Sequence, residues 1–391
     1  MRPDRTLQTL QLTQDAVGPV ARGHPWVYRD GVRGRAPVGA VVALADPRGG
    51  AVGFGLFDEG DIAVRVLGRE PQPVPAVVAE RVQRADALRV RLLGADTDAY
   101  RVVNGAGDGL PGVVVDRYGA LAVLRLYSAA WVPWMDALVD AISGLGWVET
   151  VFRRLGVARV DGQDGGVTLR GPEAPQVVVV QEHGLRFLAR PWAGQKTGLF
   201  LDQREHRRRV GALAAGRRVL NLFAYNGGFS VYAAAGGAAR VVSVDLAAPA
   251  LEDAREAFRL NGLDPDRHGF EVADVFRWPA PGRFDLVVCD PPSLTHGKRS
   301  DGAARSAYRD LAGRVGPWVT VDGLLASASC TARLSMERWE EAVWTGLRRS
   351  GRWSLLERSE APADHPVAIG HPEGRYLKFA LLRRLSDERR R

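Results

Sequence analysis

Four segments of this sequence carry the residues best suited to chemistry, and each follows a short apolar run. The first, Asn221-Leu-Phe-Ala-Tyr-Asn-Gly-Gly-Phe-Ser230, reads as a strand, a glycine turn and the start of a helix. Gly227 and Gly228 let the backbone come close to a ligand. The second is Asp245, 17 residues after Gly228, near the spacing of a ribose-binding carboxylate. Its two acceptor oxygens suit two ribose hydroxyls. The third is Asp274 in Val272-Ala-Asp-Val275, a carboxylate able to accept from an exocyclic adenine amine. The fourth is Asp290-Pro291-Pro292, at the mouth of the apolar run Phe284–Cys289. Each has a plainer reading alone: an ordinary turn, a helix N-cap at Asp245, a solvated loop carboxylate at Asp274. In this order they describe a site for an adenosine-bearing cofactor. The turn lacks the G-x-G-x-x-G spacing of a dinucleotide binder, which argues against a nicotinamide dehydrogenase.

The elements around these residues alternate strand and helix from about Pro191 onward, the pattern of a doubly wound parallel sheet. Strands are expected at Val219–Phe223, Arg240–Asp245, Phe284–Asp290 and Gly323–Ser329. Helices are expected at Gly228–Ala235, from Pro249 to a stop at Asn261-Gly262, and at Tyr308–Val319. In such a sheet, ligands sit beyond the carboxyl ends of the strands, where all four segments fall. Ahead of it the pattern differs. Val38–Leu44, Ala51–Leu56 and Ile62–Leu67 read as close-set strands of a small β-barrel, ended by the proline-rich Pro71–Pro75. A helix at Val77–Leu93, strands at 100–127, a helix at Trp134–Leu145 and strands at Val148–Phe152 and Val177–Gln181 make an α+β middle. The division is therefore 1–70, 71–190 and 191–391. The last residues, Ser386 to Arg391, are charged and expected to fray.

Composition sets the outer limits. A chain of 391 residues with a hydrophobic fraction of 46% can bury a sizeable core. No apolar run reaches the roughly 18 residues of a membrane span, and the polar N-terminus is not a secretory signal. The two cysteines, Cys289 and Cys330, suggest neither a disulfide framework nor zinc, so the expectation is a cytoplasmic protein without a metal site. The net charge of +8 favours a phosphate polyanion as partner, although arginine-rich codon usage would give the same balance.

The chain resembles class I methyltransferases, and more closely the RlmI family of 23S rRNA cytosine-5 methyltransferases. Gln195-Lys-Thr-Gly-Leu-Phe-Leu-Asp-Gln-Arg204 is similar to the family's motif ahead of the cofactor loop, and Phe223-Ala-Tyr-Asn-Gly-Gly-Phe-Ser230 to the loop itself. Ala363-Asp-His-Pro366 and Pro372-Glu-Gly-Arg-Tyr-Leu-Lys378 resemble its C-terminal signature, and Gly23-His-Pro-Trp-Val-Tyr28 the start of its N-terminal PUA domain. The resemblance implies an α/β fold with a C-terminal Rossmann-like methyltransferase domain behind a PUA domain and an α+β middle domain. It implies S-adenosyl-L-methionine as cofactor, held by Phe200, Asp202, Gln203, Phe223, Tyr225, Asn226, Gly227, Asp245, Asp274 and Asp290. It implies ribosomal RNA, of the 23S type, as substrate and brings in a homodimer as one assembly.

Asp290-Pro-Pro occurs in enzymes that methylate amines and in those that methylate carbon. Amine methylation usually wants an aromatic next, to stack on a flipped base, and here the residue is Ser293. Carbon 5 of a pyrimidine is a poor nucleophile until a thiolate adds at carbon 6. Cys330, closing Leu324-Leu-Ala-Ser-Ala-Ser-Cys330, is placed for that, and the resemblance makes it the catalytic nucleophile with Asp290 beside it. The plainer reading of Cys330 is a small buried hydrophobe, which is the role expected of Cys289. RNA is expected on Arg22, His24 and Trp26 of the N-terminal module, and on Pro291 and Pro292 at the pocket. Trp26 could equally be barrel core. Arg204, Arg207, Arg208 and Arg209 read either as an RNA path or as a solvated helix face. The rival functions are methylation of a guanine nitrogen, which needs no thiol, and RNA binding in ribosome assembly without turnover.

Overall fold

The computed structural model describes residues 7–294 and 301–387. It contains two compact units, neither continuous in sequence. The first takes residues 1–181, 189–201 and 363–374, and the second 182–188, 202–362 and 375–391. The divisions at 70/71 and 190/191 follow sequence pattern, and the compact units cut the chain elsewhere.

In the first unit, the three expected barrel strands form as Val41–Ala45, Ala51–Phe57 and Ile62–Gly68. They join Gln8–Leu12, Trp26–Tyr28 and Val32–Arg33 in one six-stranded sheet. The proline-rich stretch does not behave as a linker. Pro73 and Pro75 open the helix Val74–Leu92, where a fixed φ and a missing N–H are tolerated. Val74, Val77, Val78 and Val82 of that helix share a core with Phe54, Leu56 and Leu67. The same helix turns Arg89 inward, fully buried. Its guanidinium meets both oxygens of Asp108 at 2.6 and 2.7 Å and donates to the Asp364 carbonyl at 2.8 Å. The Asp364 carboxylate accepts from the Arg101 N–H at 3.0 Å. Ala363–Pro366 thus docks on this unit, tightly enough that a Cβ at Gly107 would run into the Pro366 carbonyl.

Numbered within the second unit, the strands are β1 (Arg218–Leu222), β2 (Arg240–Asp245), β3 (Gly269–Val272), β4 (Phe284–Cys289), β5 (Val319–Ser329), β6 (Arg352–Ser359) and β7 (Lys378–Ser386). The helices are α1 (Arg204–Ala212), α2 (Gly228–Ala235), α3 (Ala248–Leu260), α4 (Asp301–Val315) and α5 (Met336–Leu347). The sheet runs β3-β2-β1-β4-β5-β7-β6. The first five strands are parallel and β7 is antiparallel to both its neighbours. Both faces are covered, as a parallel sheet requires. Leu220, Val242 and Val287 pack into one core with Tyr308 and Trp339, and Val219, Val241 and Leu286 into the other with Val210 and Phe229. The helix expected at Tyr308–Val319 is displaced. It runs Asp301–Val315, stops where Pro317 disfavours a helical Gly316, and Val319 already belongs to β5. Ser386 ends β7, and the frayed end expected beyond it falls largely outside the described residues.

The arginine cluster divides. Arg204 and Arg207 are buried, and Arg207 forms a two-pronged pair with Glu182 at 2.8 and 2.6 Å. Arg208 and Arg209 are exposed and pair with Glu205 and Glu357. Half the cluster is therefore core, because a guanidinium buries readily when a carboxylate matches its fork. Beside it His206 lies flat on Phe379, ring centroids 4.2 Å apart, and burial pushes its imidazole down to about 4.

Two outcomes follow from this packing. Asp108→Ala leaves Arg89 charged and buried without its partner, and should cost about 3–5 kcal/mol in chemical denaturation. His206 titrates near 6.5 when unfolded and near 4 when folded. Its contribution is therefore whole above pH 6.5 and declines by roughly 2–3 kcal/mol as pH falls to about 4. Unfolding measured against pH should flatten in that window in His206→Gln.

Candidate cofactor and active site

The carboxyl ends of β1 to β5 share one rim of the second unit. After β1 the chain makes a turn in which Phe223 and Tyr225 take positive φ values of 57° and 49°, and Gly227 follows at 75°. Two bulky residues in that region mark local strain. Gly227 is obligatory for a second reason, since a Cβ there would sit 2.6 Å from the Ala254 methyl of α3. The strained turn is held by Asp245 at the end of β2. One of its oxygens accepts from the Tyr225 N–H and the other from the Ala247 N–H, both at 2.8 Å. Asn226 is half-buried in the same turn.

Asp245 stands opposite Val272 in the β2–β3 register, which brings Asp274 alongside. The Asp274 carboxylate accepts from the Phe276 N–H at 3.0 Å. The apolar side chains here face outward. Leu246 is 72% exposed and Phe276 47%, and Phe276 meets the Phe223 ring edge-on at 5.7 Å. Half-exposed carboxylates flanked by open apolar walls suit a nucleoside, whose hydroxyls and amine donate while its base needs a greasy slot. The residues present therefore fit the adenosine part of S-adenosylmethionine.

Asp290 leaves β4 half-buried, Pro291 is buried, and Pro292 is exposed. One Asp290 oxygen accepts from the Gln203 amide at 3.0 Å. The other end of that amide accepts from His206 Nδ1 at 2.6 Å, and His206 Nε2 meets the Ser359 hydroxyl at 3.0 Å. A histidine held neutral by burial and donating from Nδ1 fixes which way the Gln203 amide faces. Gln203 is thus engaged with Asp290, an interaction that the motif alone did not reveal. Asp202 is buried and accepts from the Tyr376 hydroxyl at 2.6 Å. Phe200 belongs to the first unit, where the Lys196 ammonium sits 4.7 Å from its ring centre.

Cys330 follows β5 directly and is partly exposed, whereas Cys289 is buried. Burial pushes the Cys289 thiol far up, with Asp290 adding to it, so Cys289 is inert core. Tyr308 of α4 lies in electrostatic range of Asp290 and Cys330 together, and accepts from the Ser329 hydroxyl at 2.8 Å. Burial, seconded by those charges, raises its phenol. Lys378, the last residue of the Pro372–Lys378 motif, received no role in the sequence reading: it is buried at the start of β7 with its ammonium on the Thr331 carbonyl at 2.7 Å. The motif marks the segment but does not say that this lysine is buried.

Of the residues expected to hold RNA in the first unit, His24 and Trp26 have partners within it. Trp26 packs edge-on against His371 with centroids 4.2 Å apart. The Arg65 guanidinium, paired with Asp58, lies 5.9 Å from the Trp26 ring centre. His24 is 3.5 Å from Glu373, and its Nδ1 accepts from the Trp26 N–H at 3.2 Å. His24 and Trp26 are half-buried and only Arg22 stands exposed.

Comparison with known proteins gives this rim a context. Residues 143–368 match the model of an S-adenosylmethionine-dependent methyltransferase family, and residues 10–69 that of a PUA-like domain. A protein of Deinococcus radiodurans named ribosomal RNA large subunit methyltransferase is 40% identical, covering 95% of this chain and 96% of its own. Ribosomal RNA large subunit methyltransferase I of Tolumonas auensis is 33% identical over 96% of this chain and 99% of its own. A structure titled SMU.776, a putative methyltransferase complexed with SAH, shares the fold at TM-score 0.86 and 24% identity, covering 96% of this chain and all of that one. Among the described residues no helix is long and apolar enough to cross a membrane, and no group of acidic, histidine or cysteine side chains could hold a metal. The chain belongs to the S-adenosylmethionine-dependent methyltransferase family, among the ribosomal RNA large subunit methyltransferases.

Proposed function

We propose that the protein forms 5-methylcytidine in large-subunit RNA of the 23S type, with Cys330 as nucleophile. The observation that supports this most directly is the partly exposed thiol at the rim that also carries Asp245, Asp274 and Asp290. The relatives' name supplies the substrate, and the PUA-like domain agrees with RNA. The cytoplasm and a homodimer belong to the same proposal, the latter read by light scattering.

In the step we assign to this chain, the Cys330 sulfur bonds to carbon 6 of an unstacked cytosine. The electron pair of the 5,6 double bond becomes available at carbon 5. S-adenosylmethionine, when bound, would supply an electrophilic methyl: that pair would form the carbon-5–methyl bond as the sulfonium–methyl bond breaks, leaving a neutral thioether. A base then takes the carbon-5 proton, the carbon–sulfur bond breaks, and Cys330 leaves as thiolate. Asp290, oriented by Gln203, accepts from the cytosine amine. Ser293 after the prolines offers no ring for stacking, which favours carbon over an exocyclic amine as target.

Incubation with ribosomal RNA and labelled cofactor, followed by mass spectrometry, should place the label on cytosine carbon 5, and a mark on a purine would overturn the reading. Cys330→Ala should lower turnover roughly a thousandfold or more while S-adenosylhomocysteine still binds. Asp245→Ala should do the reverse at the binding step, weakening S-adenosylhomocysteine by roughly 10- to 100-fold in calorimetry.

A further inference from the structure

Lys378 places a buried cation behind the candidate nucleophile. It opens β7 and lies across the antiparallel ladder from Ser329, the residue before Cys330. Only 2% of it is exposed. Its ammonium donates to the carbonyls of Thr331 at 2.7 Å and Tyr376 at 3.1 Å, so it is pinned at the turn that carries the thiol. Those acceptors are neutral. The carboxylates in electrostatic range, Glu360 and Glu337, stand at exposed positions, where water screens them. Burial presses the ammonium toward its neutral form, and Cys330 is foremost among the charges that oppose this. Coupling between two titrating groups acts on both. Tyr308 lies in electrostatic range of Cys330, Asp290 and the buried Cys289 together, and a charged Asp290 near the thiol disfavours a thiolate. A free thiol is only a few per cent ionised near pH 7, and a cation beside it raises that fraction.

We propose that Lys378 is a positioning residue whose buried ammonium holds Cys330 as a thiolate ready to add to the base. This rests on the reading of Cys330 as nucleophile. The competing account makes Lys378 an uncharged-equivalent anchor of the 330 turn, where only its hydrogen bonds matter.

The test is the pH dependence of Cys330 alkylation by iodoacetamide, followed on the Cys330 peptide by mass spectrometry in the full chain. In the unaltered protein the midpoint should lie below the ordinary thiol value of about 8.5, and a midpoint at or above it overturns the proposal. Lys378→Gln keeps donors for the carbonyls but removes the charge. It should raise the midpoint by about one pH unit or more and move the acidic limb of the methylation profile the same way. Lys378→Arg, which keeps the charge, should restore part of the shift. An unmoved midpoint in a Lys378→Gln protein with native unfolding temperature and S-adenosylhomocysteine binding would leave Lys378 a turn anchor. Alkylation needs no RNA, so an active Cys330→Ala enzyme would end the nucleophile reading without touching the alkylation result.

Discussion

The parallel pairing of β4 with β5 is the constraint on which the site depends. Val287, Val288 and Cys289 lie opposite Leu325, Ala326 and Ser327, so both strands leave the sheet at the same rim within a few residues of each other. Asp290 and Cys330 emerge there as a consequence of register. A parallel ladder has no freedom to deliver them elsewhere, because slipping by one residue would exchange the side chains fitted into the two cores. The same logic carries Asp245 and Asp274, since β1, β2 and β3 run in the same direction.

The antiparallel β7 adds what parallel strands cannot. A strand that runs the other way begins where the others end. Its first residue, Lys378, therefore arrives opposite the last residue of β5 with its side chain among the rim groups. Tyr376, two residues earlier, reaches Asp202, and Asp202 precedes Gln203, which orients Asp290. Buried polar groups in such an arrangement are costly unless each has a partner. The neutral His206 satisfies this condition by bonding Gln203 on one ring nitrogen and Ser359 on the other.

The sequence displayed the parallel half of this sheet well. Strand β2 and helix α2 fall where expected to the residue, because glycines and aspartates punctuate short apolar runs. The reversed half was hidden. Charged residues such as Arg352, Glu357, Arg383 and Arg384 interrupt the apolar runs of β6 and β7, and the sequence pattern led to no strand being expected there. Lys378 and Arg207 were hidden for a related reason. Long cationic side chains are seldom fully buried, and only the facing carbonyls or carboxylate, distant in sequence, make it acceptable. The proline-rich 71–75 failed differently. Proline marks a boundary of structure but not which side is structured, and here it begins a helix that packs against Phe54, Leu56 and Leu67 of the barrel strands.

The two C-terminal signatures show why a motif's presence does not by itself tell packing from chemistry. Asp364 is fully buried and answers a backbone N–H of Arg101 in the first unit, while its carbonyl takes a donor from Arg89. Both of these partners are backbone or guanidinium donors of the first unit that would otherwise lack an acceptor. Lys378 is equally buried, yet its charge meets only neutral carbonyls by hydrogen bond and lies beside a thiol that is partly open to solvent. A buried charge matched by a buried countercharge completes a core. A buried charge matched to a group that titrates and can be reached from outside tunes that group instead. By that criterion the Arg89–Asp108 pair, on which the first signature docks, holds the fold, and Lys378 of the second signature acts on the reactive sulfur.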